Sequence, residues 1–65
     1  MILTAVRETE TVELGRGFNM ASAYEFIAEN DRLNDYRWFE GFDLVLTDGA
    51  DSWVLEADCW SRYVC

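Results

Sequence analysis

Sixty-five residues make one domain, small enough that folding buries only about 60% of the surface its unfolded chain exposes. The chain is 51% hydrophobic, with three Trp, three Tyr and four Phe, which supports a core without a metal or disulfide framework and argues against disorder. Thirteen Asp and Glu face five Arg with no Lys and no His, and the formal charge of −8 disfavours nucleic acid and membranes as direct partners while favouring basic protein surfaces.

Ile2 to Val6 alternates Ile2, Thr4 and Val6 against Leu3 and Ala5, the pattern of a strand, and Thr9 to Leu14 alternates Thr, Val and Glu as its continuation or partner. Gly15 and Gly17 around Arg16 break that pattern into a turn. Asn19 is a good helix N-cap, and Ser22 with Glu25 three residues later offers a capping box as an alternative start. Met20, Ala23, Tyr24, Ile27 and Ala28 recur at helical spacing, which predicts a helix to about Asp31 or Leu33. Asn30, Asp31, Asn34 and Asp35 then read as turn formers, and Tyr36 to Phe39 as a strand or packed extended segment.

Phe42 to Thr47 and Ser52 to Cys59 flank Asp48-Gly49-Ala50-Asp51 and read as a hairpin, its loop either Asp48-Gly49 or Gly49-Ala50. Parity places Phe42, Leu44, Leu46, Trp53, Leu55 and Ala57 on one face, the core side. The predicted architecture is α+β, a small antiparallel β-sheet with one α-helix packed on its apolar face, in the order β–β–α–(β)–β–β.

The other face of the hairpin carries Asp43, Val45, Thr47, Val54, Glu56 and Asp58. With Gly49-Ala50 at the tip, Asp43 falls opposite Glu56, a like-charge pair that weakens a sheet, and Asp58 follows Glu56 at about 6.7 Å along the strand. Glu25 and Glu29, at i and i+4, repel by roughly 0.2–0.5 kcal/mol on an exposed helix, with Arg32 three residues on as a partial offset. Asp31 and Asp35 extend the acidity past the predicted helix end, where the dipole disfavours anions. Local stability does not select these seven carboxylates. Their functional reading is imitation of the phosphates that run along a nucleic-acid strand, one per ~3.4 Å of axis. The plainer reading is a solvated face that keeps a small apolar protein dispersed. Glu8, Glu10 and Glu13 fit the plainer role, as charges on an edge strand that discourage aggregation.

Tyr36, Arg37, Trp38, Phe39 and Phe42 read first as core, because a domain this small cannot leave so many rings outside, and second as an interface hot spot. Trp60 and Tyr63 carry the same two readings, with a homodimer contact as the functional one; monomer and homodimer both stay open. Catalysis is not expected: no His is present, and no nucleophile-and-base pattern surrounds Ser22, Ser52, Ser61, Cys59 or Cys65. A carboxylate pair for glycoside cleavage needs a cleft that a layer of this size can hardly enclose. Asp48, Asp51 and Ser52 lack the spacing of a calcium loop, and two Cys without His do not make a zinc site, so no metal or cofactor is expected. Cys59 and Cys65 read as free thiols, since a bridge between them would close a short loop and constrain little of the chain. Met1 to Val6 lacks the basic start and the apolar length of a secretory signal, nothing reads as a membrane span, and the expected address is the cytoplasm.

In size, charge and one-domain α+β character the whole chain resembles the very short acidic inhibitors encoded by phages and mobile elements, especially anti-CRISPR proteins and anti-restriction DNA mimics. The likeness rests on those properties and not on a shared motif. Within that group it looks like an anti-CRISPR aimed at a type I Cascade complex, of the I-C class. The resemblance implies stoichiometric inhibition in the host cytoplasm. The inhibitor would occupy a Lys- and Arg-rich surface of a DNA-binding protein or Cas effector subunit and block recognition of target DNA. Glu25, Glu29, Asp31, Asp35, Asp43, Glu56 and Asp58 would then imitate phosphates, with Arg32 and Arg37 orienting neighbouring carboxylates. A protein–protein adaptor or antitoxin binding through Trp38, Trp60 and Tyr63 is the alternative.

Overall fold

The structure, a computed structural model, describes residues 1–38, 41–56 and 59–63, with the backbone alone at 36–38. Among the described residues, five strands and two helices follow in chain order: β1 (Ile2–Arg7), β2 (Glu10–Arg16), α1 (Met20–Ala28), α2 (Asp31–Trp38), β3 (Asp43–Asp48), β4 (Asp51–Glu56) and β5 (Cys59–Arg62). The strands form one antiparallel sheet in the order β2-β1-β3-β4-β5, giving the predicted α+β class.

The first hairpin turns at Glu8-Thr9, with Arg7 paired to Glu10 across its mouth. Gly15 does not end β2, contrary to expectation. The strand continues to Arg16, with a register shift opposite Leu3 and Thr4 that leaves Leu14 as the extra residue. Gly17 then adopts φ +81°, a conformation that suits a residue without Cβ, and releases the chain towards α1.

Asn19 caps α1 as predicted, but Ser22 is its reciprocal partner and not an alternative start. The Ser22 N–H donates to Asn19 Oδ1 at 2.8 Å and the Asn19 N–H donates to Ser22 Oγ at 2.9 Å. The helix ends earlier than predicted, with Glu29 as C-cap, and a second helix begins at Asp31. Residues 36–38, expected as a strand or extended segment, belong to this second helix. The side chains of the Tyr36-Arg37-Trp38 run, and Phe39, lie outside the described residues.

The hairpin of β3 and β4 takes the register with Gly49-Ala50 at its tip: Asp48 faces Asp51, Leu46 faces Trp53 and Val45 faces Val54. Gly49 has φ +59° at the first loop position, as a two-residue primed turn requires. The predicted strand over 52–59 stops at Glu56, and Cys59 opens a separate fifth strand that pairs back onto β4.

One apolar cluster joins the layers. Leu3 and Ala5 of β1, Leu44 and Leu46 of β3, Leu55 of β4 and Phe42 pack with Ala23 and Ile27 of α1 and Leu33 of α2. Phe18 and Phe26 lie against this cluster, their ring centroids 5.1 Å apart. Tyr24 and Ala28, assigned to the inner helix face by spacing, are exposed. Trp60 reaches across the layers and donates its indole N–H to the Met20 carbonyl at 3.0 Å. No described helix is long and apolar enough to cross a membrane.

Candidate functional site

The acidic residues divide between the two layers of the fold. Leu44 and Leu55 point into the core beneath the helices, so their strand neighbours Asp43 and Glu56 point to the opposite, helix-free face of the sheet. Glu25 and Glu29 lie on the exposed side of α1, away from buried Ala23 and Ile27, and Asp31 and Asp35 are exposed on α2 beside buried Leu33. The structure therefore places Glu25, Glu29, Asp31 and Asp35 in the helical layer and sets Asp43 and Glu56 apart from them. Asp58 lies outside the described residues.

The sheet-face group is small and mixed. The register of β3 and β4, carried two residues beyond Val45 and Val54, sets Asp43 across from Glu56, the like-charge arrangement expected from the sequence. Glu56 accepts a hydrogen bond from the Ser61 hydroxyl at 3.4 Å. Apolar side chains occupy the middle of this face: Val45 and Val54 are buried there, with Ile2 and Val6 half-buried in the neighbouring strand.

The helical group meets local electrostatics in two different ways. Asp31 sits in the first turn of α2, where exposed N–H groups favour an anion; the expectation that it trails a helix end is corrected by the start of this second helix. Glu25 and Glu29 occupy the last turn and C-cap of α1, which contains no basic residue, so their carboxylates stand at the negative end of the helix. The i,i+4 spacing also makes them repelling neighbours.

Among the described residues, arginine does not neutralise this group. Arg7 pairs with Glu10, Arg16 with Glu13 and Arg62 with Asp51, all on strands. Hydrogen bonds from Arg16, at 3.1 and 2.8 Å, hold the Glu13 carboxyl below its ordinary pKa and raise that of the guanidinium. Arg7 also lies 4.5 Å from the centre of the Phe42 ring. Among the described residues, none of Glu25, Glu29, Asp31, Asp35, Asp43 and Glu56 has an arginine partner, and Arg32 makes no ion pair with Glu29. Among the described residues, the carboxylates that nothing local requires are thus the ones without a guanidinium.

Aromatic groups outside the acidic set form a second feature. Met20, Ala21, Tyr24 and Glu25 of α1 and Cys59 and Trp60 of β5 line an open groove of ≈ 530 Å³. Trp60 was legible as core or contact and is half-buried; Tyr24 read as core, and no signal in the sequence distinguished its exposure. The Cys59 thiol is free and exposed, while Cys65 lies outside the described residues. No three His, Cys, Asp or Glu side chains are grouped to hold a metal among the described residues.

No protein-family model, curated protein or solved structure matches the chain.

Proposed function

We propose that this protein is an inhibitor that presents an acidic surface to a basic, nucleic-acid-binding protein and blocks its access to DNA. One observation carries the reading: Glu25, Glu29, Asp31 and Asp35 share an exposed helical layer without an arginine partner among the described residues, although the chain spends other arginines on strand carboxylates. Two of these four stand where the helix dipole and each other's charge oppose them. A site built to meet Lys and Arg recovers that cost on binding, when counter-charges arrive and bound counterions leave. The helical layer is the principal contact, and Asp43 and Glu56 on the far face are secondary. A Cas effector of the type I Cascade class fits as the target, since its DNA path is a positively charged channel. In that setting the inhibitor works in the host cytoplasm without chemistry of its own.

The test uses purified type I-C Cascade in a gel-shift assay with its duplex target. Added protein is expected to prevent the DNA shift, with a half-inhibitory concentration that rises steeply between low and moderate salt. Reversal of Glu25, Glu29, Asp31 and Asp35 to Lys is expected to abolish inhibition. Inhibition that ignores both salt and these reversals would refute the electrostatic reading, and an unimpeded DNA shift would remove Cascade as the target. The same competition run with other basic DNA-binding proteins then tests the broader claim.

A further inference from the structure

The sheet has two outer edges, and they are protected unequally. β2 carries a register irregularity together with the charged pairs Arg7–Glu10 and Arg16–Glu13, features that discourage another strand from adding there. β5 carries a single such pair, Arg62–Asp51, has no register irregularity, and no described strand lies on its outer side. The Tyr63 N–H donates to the Ser52 carbonyl at 2.8 Å, and bonded and non-bonded pairs alternate along an antiparallel ladder. The inward-bonded partners in β4 and β5 are therefore Val54 with Ser61 and Glu56 with Cys59, which leaves the N–H and C=O of Trp60 and Arg62 facing outward.

The groove between α1 and β5 runs along this same edge. Cys59 and Trp60 are adjacent in a strand and point to opposite faces, so one groove can touch both only at the strand's rim. Met20, Ala21 and Trp60 make it apolar, the Trp60 indole is held by Met20, and Glu25 stands at its margin.

We propose that a basic, extended segment of the partner adds to β5 as a further strand, bonding to the free backbone groups of Trp60 and Arg62. An apolar side chain of that segment enters the groove, and a neighbouring Lys or Arg meets Glu25. Charge selects this occupant over a second copy of the chain, because two copies would bring −8 against −8 and one Glu25 margin against another. The inference rests on the basic-partner reading and adds where the partner's backbone lies.

The experiment selects short random peptides displayed against the full chain, then measures amide hydrogen exchange with the enriched peptide bound. The expected winners alternate Lys or Arg with apolar residues and slow exchange at Trp60 and Arg62. Arg62→Pro, which deletes an outward donor and leaves the inward ladder, is expected to weaken binding by at least about tenfold, roughly 1.4 kcal/mol. Arg62→Ala, which loses the Asp51 pair but keeps the N–H, stays within about threefold of the parent. Ala21→Trp fills the groove from an exposed helix position and tests the same site without touching the sheet. Failure to enrich any peptide, enrichment without basic residues, protection confined to other amides, or unaltered binding by both Arg62→Pro and Ala21→Trp would overturn the proposal. If Arg62→Pro and Ala21→Trp still inhibit DNA binding in the gel-shift assay while Lys reversals on the helices do not, strand addition falls and the inhibitor reading survives. Peptide capture at β5 by a protein that never competes with DNA separates them the other way.

Discussion

Replacing Glu25 and Glu29 together by Gln should stabilise the fold while weakening its partner contact. Neither carboxylate makes a hydrogen bond or ion pair among the described residues, and Gln matches Glu closely in helix propensity, so the substitution removes charge and little else. Ending their mutual repulsion contributes ~0.2–0.5 kcal/mol. Lifting each negative charge from the C-terminal end of α1 contributes a further ~0.3–1 kcal/mol at low ionic strength. Since both groups are exposed to water, about 1 kcal/mol in total is the working figure, which raises Tm by about 4–8 °C for a domain of this size. Circular dichroism melts at low salt measure the gain, and a repeat near 1 M NaCl, where the Debye length is ~3 Å, should erase most of it. A variant that melts at or below the parent's temperature at low salt would show that these acids hold the helix together, and the argument that they await an outside counter-charge would fail. A gain that persists unchanged at high salt would remove electrostatics as its cause.

Other substitutions test the packing and the strand ion pairs. Gly15→Ala brings a Cβ to 2.8 Å from the Phe18 ring, which packs on the core, so denaturant melts should show a loss of ~1–3 kcal/mol. Leu44→Ala empties a fully buried position and should cost ~2–5 kcal/mol, a large share of the ~3–10 kcal/mol expected of so short a chain, leaving much of the sample unfolded by amide NMR spectra. Trp60→Phe removes the indole donor to Met20 and should cost ~0.5–1.5 kcal/mol in urea titrations. Because Arg16 lowers the Glu13 pKa in the folded state, that pair's stabilisation is present above the unfolded carboxylate's pKa and is lost as pH falls through the folded one. Glu13→Gln should accordingly narrow its stability deficit against the parent on acidification, and a deficit that widens would refute the sign.

The sequence made the paired strands and α1 readable because their periodicity and turn chemistry agreed. Asp48-Gly49-Ala50-Asp51 marked a turn between two apolar alternations, and Asn19 preceded a run at helical spacing. Two elements escaped for opposite reasons. Asp31 to Trp38 contains Asp and Asn residues that favour turns in isolation and, within its described side chains, only Leu33 commits to the core. Tertiary support, including Asn34 Nδ2 donating to the Ile27 carbonyl at 3.4 Å, accompanies a helix that local preference did not announce. The start of β5 was hidden because no Gly, Pro or Asn separates Glu56 from Cys59, and the alternation runs on through Ala57 and Asp58 in the sequence. The acidic groups were legible one by one, but their division between layers followed only from placing α1 and α2 on the Leu44 face. That placement turns Asp43 and Glu56 away from Glu25 and Glu29.

The sheet order has a consequence for how the chain is made. Ile2 finds Thr47 as its neighbour in β3, so β1 leaves the ribosome well before the strand that covers its inner edge. Until then the β1 and β2 hairpin stands alone with Leu3 and Ala5 uncovered. Glu10 and Glu13 of β2 put negative charge on that exposed hairpin, the kind of flanking charge that disfavours association between unfinished chains.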